Sequence, residues 1–322
     1  MSVLVYTESE NGKFKKSAFE VASYAYEIAK QMNTTATAVT FNVANNESLG
    51  TYGISKVLEI TNDKLDTFNA KAFSSCIHQA AEKEGAKVII LSSSTDTKFL
   101  APILAGHLKA GYIPNVIAAP ESIAPFVVKR TAFSNKGFAF SEINTPIKIV
   151  GVSNNAFGVT ENKENSTVEA FNPTLNDSDF STKSIAIDKV VGKATIADAD
   201  IVVSGGRGLK GPENWGMIEE LADVLGAATA CSKPVSDLGW RPHGEHVGQT
   251  GKPVASNLYI AIGISGAIQH LAGVSASKVK VVINIDPEAP FFKAADYGIV
   301  GDAFEVVPKL IEKLKEFKAQ NA

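Results

Sequence analysis

The sequence predicts an α/β fold with two domains, each built on a parallel sheet. Apolar runs of strand length alternate with helical patterns from the first residues, and the same alternation starts again at Ile201. Repeats of strand, helix and strand place parallel strands side by side with helices on both faces. With 322 residues, 45% of them apolar, the chain is long enough to form two cores.

In the N-terminal half, short apolar runs and helical spacing follow one another. Strands are predicted at residues 2–6, 37–41, 57–60 and 87–91. Apolar residues at steps of three and four predict a first helix through Phe14, Ala18, Val21, Ala25, Ile28 and Met32. Further helices are predicted through Phe73, Ile77 and Ala80 and over residues 98–109.

After Pro114 the pattern becomes richer in strands. These are predicted at residues 126–131, 137–140, 147–152, 168–171 and 185–190, with an exposed polar loop at 154–166. We place the domain boundary near residues 190–199. The expected domains are therefore an N-terminal α/β domain at 1–190 and a second domain at 191–322.

The second domain repeats the alternation. Strands are predicted at residues 201–203, 227–230, 258–264 and 281–285. A helix is expected through Trp215 and Leu225, a turn and helix start at Ser265–Gly266, and a last helix over residues 304–318. The start of a helix after a strand suits a phosphate, because its first N–H groups are unpaired and lie at the positive end of the dipole.

Composition argues against several classes of function. The net charge of −3 gives no basic surplus for binding nucleic acid. No apolar run reaches the roughly 18 residues of a membrane span, and the N-terminus resembles neither a signal peptide nor a transit peptide. The two cysteines, Cys76 and Cys231, fit a reducing compartment. We therefore expect a cytoplasmic protein without membrane insertion.

Two nucleotide-binding alternatives remain open at this stage. Gly206, Gly208 and Gly211 form G-x-G-x-x-G after a strand, as in NAD-dependent oxidoreductases, but the next strand ends without the acidic residue that would hold the ribose. The hydroxyl-rich turn 92–97 follows another strand and fits either a nucleotide phosphate or a capped helix start. His243 and His246 lack further ligands at a known spacing, so no metal site is expected.

Two neighbouring segments carry a more specific signal. Residues 247–252 read Val-Gly-Gln-Thr-Gly-Lys, and residues 263–270 read Gly-Ile-Ser-Gly-Ala-Ile-Gln-His. Both closely resemble the FAD-binding region of the electron-transfer flavoprotein alpha subunit. Residues 204–211, 232–240, 281–290 and 295–302 match the same family in the same order. The resemblance implies a nucleotide-binding-like N-terminal domain and a Rossmann-like FAD-binding domain after it.

The resemblance also assigns cofactor-binding residues. These are Arg207, Ser232, Lys233, Val247, Gly248, Gln249, Thr250, Ser265, Gly266, Ala267, Ile268, Gln269, His270, Asn284, Asp302 and Ala303. It implies that Thr250 lies near the flavin N5 and that His270 lies near O2, where negative charge develops on reduction. Asn284 and Asp302–Ala303 are expected at the adenosine end. At Lys233 the family generally has arginine, which keeps the charge but offers a planar fork.

The function implied by the resemblance is electron transport. Such a subunit pairs with a beta subunit, which holds AMP and contacts the N-terminal domain. It passes single electrons from dehydrogenases, such as the acyl-CoA dehydrogenases of fatty acid β-oxidation, to a flavoprotein-quinone oxidoreductase in the membrane. We therefore expect an electron carrier with no catalytic acid, base or nucleophile, rather than an enzyme.

Overall fold

Two units make up the chain, and each has its own sheet. The computed structural model describes residues 2–186, 195–196 and 199–321. One unit is formed by Met1–Thr131 and Phe138–Asp188, and the other by Ala132–Gly137 and Lys189–Ala322. The predicted boundary between residues 190 and 191 lies outside the described residues, as does most of the strand predicted at 185–190.

The first unit contains a ten-stranded sheet among the residues described. Its strands are β1 Ser2–Tyr6, β4 Thr35–Phe41, β5 Lys56–Ile60, β6 Val88–Ser92, β7 Gly111–Val116, β8 Ser122–Ile123, β9 Phe126–Ala132, β10 Gly137–Glu142, β11 Lys148–Val152 and β12 Thr167–Ala170; β2 Ser9–Glu10 and β3 Lys13–Phe14 form a separate hairpin. Its helices are α1 Lys16–Gln31, α2 Ala70–Glu84 and α3 Thr95–Leu108.

The centre of this sheet is parallel and covered on both faces. The order is β10-β9-β7-β11-β6-β1-β4-β5-β12, with β8 beside β9. On β1, Val3 and Val5 pack with residues of α1, whereas Leu4 and Tyr6 pack with residues of α2 and α3. Because successive side chains of a strand point to opposite faces, a strand buried throughout requires this double cover.

The second unit is a five-stranded parallel sheet with helices on both faces. Its elements are β13 Ile201–Gly205, α4 Gly216–Leu225, β14 Ala228–Cys231, α5 Lys233–Asp237, β15 Leu258–Ile262, α6 Ile268–Val274, β16 Val279–Asn284, β17 Tyr297–Val300 and α7 Ala303–Gln320. The strand order is β14-β13-β15-β16-β17, and every pair is parallel. Strands are added to one side of β13 first and to its other side afterwards, so the strand order reverses between β13 and β15. This is the position where ligands bind in open α/β sheets.

Strand β15 shows how the two faces differ. Ile260 and Ile262 pack into the core shared with α4 and α7, whereas Tyr259 and Ala261 pack into the core shared with Val274 of α6. The α/β class and the second parallel sheet predicted from the sequence are thus confirmed. Among the described residues, no helix has both the length and the apolar character needed to cross a bilayer.

Candidate functional site

The predicted cofactor residues gather along one edge of the second sheet. In a parallel sheet all strands end at the same side, and the loops that follow β13, β14, β15, β16 and β17 begin there. The residues at or just after these ends are Arg207, Ser232, Lys233, Ser265, Gly266, Asn284, Asp302 and Ala303. The structure thus brings together residues that are far apart in the sequence.

Glycines allow two of these loops to touch at the point where the strand order reverses. The Gly208 amide donates to the Gly263 carbonyl at 3.1 Å, and the Gly206 amide donates to the Ile262 carbonyl at 2.8 Å. A β-carbon on Gly206 would lie 2.1 Å from the Gly263 oxygen, and one on Gly208 would lie 2.7 Å from the Gly263 Cα. Side chains are therefore excluded where the loops after β13 and β15 meet.

The glycine run after β13 does not form the strand–turn–helix that NAD enzymes use. Two short 3₁₀ turns, Arg207–Leu209 and Pro212–Asn214, separate the strand from α4, which begins at Gly216. Trp215 fills the space beside Gly205, where an added β-carbon would lie 2.6 Å from the indole. The run therefore presents no helix N-terminus directly after the strand for a pyrophosphate.

The two predicted cations at this edge have different surroundings. Arg207 is exposed, and no described residue pairs with its guanidinium. Lys233 is also exposed, but its Nζ lies 3.2 Å from the Asp237 carboxylate one turn later in α5. Surface pairs of this kind contribute only about 0.3–0.5 kcal/mol, so a ligand can displace Asp237 readily. Between them, the Ser232 amide donates to the Gly205 carbonyl at 3.1 Å.

Backbone bonds fix the loop at residues 247–252. The Val247 amide donates to the Cys231 carbonyl at 3.0 Å, and the Gln249 amide donates to the Gln269 carbonyl at 2.8 Å. Gly248 adopts a φ of +151°. The side chains of Gln249 and Thr250 are exposed, while Val247 is buried. The loop is therefore anchored on both sides and leaves its two polar side chains free to contact a ligand.

The turn after β15 is longer than the sequence predicts, because β15 ends at Ile262 and α6 begins at Ile268. Gly266 has a φ of +86°, which prevents a helix from starting there, and α6 begins at Ile268 instead of at Ser265–Gly266. Ser265, Ala267 and Gln269 are exposed, and Ile268 is 63% exposed. An exposed isoleucine beside exposed polar side chains suits a ligand with an apolar ring and a polar rim.

His270 is a buried polar residue of the site. Its Nε2 lies 2.9 Å from the Tyr259 hydroxyl, while its Nδ1 is buried without a hydrogen-bond partner. Burial, followed by the effect of the nearby His246, lowers the pKa of His270 to about 4, although the Val247 backbone acts in the opposite direction. The imidazole is therefore neutral at pH 7 and retains one unused ring nitrogen.

His246 is a residue that the sequence did not mark as part of the site. It is 1% exposed, and its Nδ1 is also buried without a partner. Burial lowers the pKa of its imidazole as well. Its position in a polar stretch between His243 and Val247 predicts an exposed loop. In the structure, residues 246–252 fold against α6, and no local sequence pattern indicates this contact.

The residues after β16 and β17 already have structural roles. The side-chain amide nitrogen of Asn284 donates to the Ile264 carbonyl at 3.1 Å, and its side-chain oxygen accepts from the Asp286 backbone amide at 3.0 Å. Asn284 therefore links the loops after β15 and β16. Asp302 accepts from the Phe304 amide at 3.0 Å as the N-cap of α7. Ala303, the first residue of that helix, is buried. Asp302 keeps one oxygen for another partner, with Lys210 4.0 Å away.

The hydroxyl-rich turn of the first unit is occupied by its own contacts. Ser94 caps α3 by accepting from the Thr97 amide at 3.1 Å, and Thr97 donates to the Ser92 carbonyl. The Ser92 hydroxyl donates to Glu8, a carboxylate only 2% exposed that also lies 3.2 Å from Lys15. A phosphate placed between β1 and β6 would meet this buried carboxylate, so the turn fits a capped helix rather than a nucleotide site.

Within the part of the chain that is described, no cluster of three or more histidine, cysteine, aspartate or glutamate side chains could hold a metal ion.

Family models match almost the whole length up to residue 275. The model described as "Electron transfer flavoprotein domain" matches residues 3–206, and the one described as "Electron transfer flavoprotein FAD-binding domain" matches residues 195–275. The second range includes every predicted cofactor residue from Arg207 to His270. Asn284, Asp302 and Ala303 lie beyond it.

Several known proteins are similar over nearly their full length. The chain is 36% identical to the electron transfer flavoprotein subunit alpha of Thermoanaerobacterium thermosaccharolyticum, covering 98% of both chains. It is also 36% identical to the protein of that name from Bacillus subtilis, covering 98% of this chain and 97% of the relative. The mitochondrial alpha subunit of Arabidopsis thaliana is 32% identical over 99% of this chain and 91% of its own.

Proposed function

The chain belongs to the electron transfer flavoprotein alpha-subunit family, and from this premise we propose that it holds FAD at the carboxyl edge of its second sheet and carries electrons without transforming a substrate. The match of the FAD-binding domain model to residues 195–275 supports binding of FAD. We propose that residues 191–322 bind this cofactor and that residues 1–190 contact a beta subunit.

The single observation that carries the proposal is the unpartnered Nδ1 of His270. A buried polar atom without a partner costs about 1–3 kcal/mol, and a ligand that supplies the partner removes this cost. Here it lies beside the loop 247–252, which also exposes Gln249 and Thr250. A ring system with carbonyl and imide groups along one side, such as isoalloxazine, would satisfy these groups together.

The other predicted residues fit the remaining parts of FAD. Glycines at 206, 208 and 263 let the loops after β13 and β15 pack closely at the reversal point, which is the position where ligands bind in open α/β sheets. The unpaired guanidinium of Arg207 can bind an anion through a charge-assisted hydrogen bond. Asp302, with a spare carboxylate oxygen, is proposed to accept a hydrogen bond from the ribose.

When bound, FAD supplies the capacity to take up and release electrons, and the protein sets its potential. The positive charges of Arg207 and Lys233 would favour the added negative charge. His270 would do so as a neutral hydrogen-bond donor rather than as a cation, because burial keeps it deprotonated. The side chains of Gln249 and Thr250 would orient the ring. None of these side chains needs to act as a general acid or nucleophile.

We further propose the partners of the family for this chain. A beta subunit with AMP would complete a heterodimer, acyl-CoA dehydrogenases or related enzymes would reduce it, and a flavoprotein-quinone oxidoreductase would oxidise it. Similarity to alpha subunits over nearly the full length supports this proposal.

Co-expression with the beta subunit from the same source tests the proposal. We expect a yellow heterodimer with one FAD in the alpha subunit, which a dehydrogenase and its substrate reduce and which a quinone oxidoreductase reoxidises. A colourless heterodimer, or one that binds NADH in place of FAD, would contradict it. An Arg207→Gln heterodimer serves as the comparison, since it should assemble but hold FAD more weakly.

A further inference from the structure

Tyr259 lies behind His270, on the face of β15 that packs into the core shared with α6. It is fully buried, and its hydroxyl is 2.9 Å from His270 Nε2. Its ring lies parallel to that of Phe291, with 3° between the planes and 6.4 Å between the centroids. Phe291 is also fully buried, with its ring centroid 6.0 Å from that of His270. The packing around Phe291 therefore fixes both the phenol and the imidazole.

The hydrogen bond between the two residues can run in either direction, and each direction corresponds to one tautomer. If the Tyr259 hydroxyl donates, Nε2 is the acceptor and the proton of the neutral imidazole resides on Nδ1. If Nε2 donates instead, the phenol proton needs another acceptor. The Ser204 hydroxyl is another polar group near that hydroxyl. Burial raises the pKa of Tyr259, whereas the hydrogen bond of Ser204 lowers it, as a bond donated to the phenol oxygen does. With Ser204 as a donor, His270 Nε2 at 2.9 Å is the acceptor for the phenol proton.

The first direction satisfies more groups. It uses the phenol proton and the Nε2 lone pair in one bond, and it leaves only Nδ1–H without a partner. The second direction leaves both a buried phenol proton and a buried Nδ1 lone pair unsatisfied, at about 1–3 kcal/mol for each. Because the hydrogen bond at one ring nitrogen determines which nitrogen carries the proton, the surroundings of Tyr259 select the Nδ1–H form.

We propose that Tyr259 is a positioning residue that holds neutral His270 in its Nδ1–H tautomer, so that the imidazole presents a donor, and not a lone pair, to the flavin. The part concerning the flavin rests on the proposed function, whereas the tautomer itself does not. A donor at this position stabilises negative charge that develops on reduction, and a lone pair would oppose it. Tyr259 would thereby raise the reduction potential without contacting the cofactor.

The tautomer can be measured without FAD. Labelling the histidines of the full chain with ¹⁵N and recording two-bond ¹H–¹⁵N correlations distinguishes a protonated Nδ1 from a protonated Nε2. The chain has five histidines, and His270→Gln identifies the signals of the one in question. We expect the Nδ1–H pattern for His270 at neutral pH. An Nε2–H pattern in the unmodified chain would overturn the proposal, whether or not FAD binds.

Tyr259→Phe removes only the hydroxyl and keeps the ring against Phe291. We expect His270 to lose the pure Nδ1–H pattern in this variant. Tyr297→Phe is the matched control, because Tyr297 lies in the same sheet but is 67% exposed, and it should leave the pattern unchanged. If Tyr259→Phe does not fold, the pattern of the unmodified chain still decides the tautomer.

The potential of the FAD-loaded heterodimer tests the consequence. We expect Tyr259→Phe to lower it, Tyr297→Phe to leave it unchanged, and Tyr259→Phe to have no further effect in a chain that already carries His270→Gln. An unchanged potential in Tyr259→Phe would contradict the role of the tautomer. An Nδ1–H pattern in a heterodimer that binds no FAD would instead contradict only the proposed function.

Discussion

Gly266 lies directly against the backbone of Phe291, so that a β-carbon at position 266 would be 2.5 Å from the Phe291 amide nitrogen. That amide donates to the Ser265 carbonyl at 3.0 Å, which holds the two segments together. The φ of +86° at Gly266 adds conformational strain for any other residue. Position 266 therefore combines a steric and a conformational requirement for glycine.

We expect Gly266→Ala to lower the free energy of unfolding of the second unit by about 3 kcal/mol, the sum of strain and displaced backbone. Gly239→Ala is the control: its φ is +73°, but the space around it is open, so only strain of about 1 kcal/mol applies. Denaturant unfolding followed by tryptophan fluorescence measures both, because both tryptophans, Trp215 and Trp240, lie in this unit. Equal losses in the two variants would contradict the close approach to Phe291.

Arg207 should contribute to FAD binding and not to folding. Its side chain is exposed and pairs with no described residue, so Arg207→Gln should leave the unfolding midpoint unchanged. Loss of a charge-assisted hydrogen bond costs about 1.5–3 kcal/mol, which corresponds to roughly 10- to 150-fold weaker FAD binding. Titration of FAD into the flavin-free heterodimer measures this change.

The control for Arg207→Gln is Lys309→Gln, which removes an exposed positive charge on α7 of the same unit. It should leave the FAD affinity unchanged, since general attraction by distant surface charges is largely screened at physiological salt. A similar loss in both variants would show that net charge, and not the position of Arg207, determines the effect.

Much of the fold was predictable because the buried strands and covering helices of a parallel sheet give regular patterns of apolar residues in the sequence. Alternating strands and helices predicted the α/β class, and parallel strands necessarily collect the loops after their ends at one edge. That geometry explains why Arg207, Ser265 and Asn284 lie along the same edge. Their contacts with FAD stay predictions.

Elements that depart from the usual strand patterns were not predicted. Strand β17 has only four residues, Tyr297–Val300, with a glycine among three apolar residues, and the structure exposes it along its whole length instead of burying one face. Strand β7 contains Pro114, which argues against a strand in sequence-based reasoning. The bond between Tyr259 and His270 joins a strand to the helix after it, a tertiary relationship that no spacing rule encodes.

Glu20 anchors a loop of the first unit and offers a test that is independent of the cofactor. This carboxylate is 4% exposed and accepts hydrogen bonds from the amides of Asn155, Phe157 and Gly158, at 2.7, 2.9 and 2.8 Å. Glu20→Gln replaces one acceptor oxygen by a donor that faces an amide. We expect a loss of about 2–3 kcal/mol in the unfolding free energy of this unit.

Far-UV circular dichroism reports unfolding of both units, whereas tryptophan fluorescence reports only the second. Glu20→Gln should therefore lower the unfolding midpoint seen by circular dichroism and leave the midpoint seen by tryptophan fluorescence unchanged. Glu47→Gln, at an exposed position of the same unit, is the control and should change neither. A shift in the fluorescence midpoint equal to that in the dichroism would contradict a local role for Glu20.

His270 should make the stability of the second unit depend on pH. Burial, followed by the effect of His246, lowers its pKa from 6.5 to about 4, so the folded form stays neutral where the unfolded chain takes up a proton. This group therefore leaves stability unchanged above pH 6.5 and reduces it as the pH falls from 6.5 towards 4. At about 1.4 kcal/mol for each pKa unit, the full loss is up to about 3 kcal/mol.

In the FAD-free chain, His270→Gln should flatten this dependence of stability on pH, as measured by fluorescence-detected unfolding at several pH values. Some dependence should persist because burial also lowers the pKa of His246. His107→Gln, at an exposed position of the first unit, should leave the curve unchanged, and a His270→Gln curve parallel to that of the unmodified chain would show that the imidazole is not kept neutral by burial.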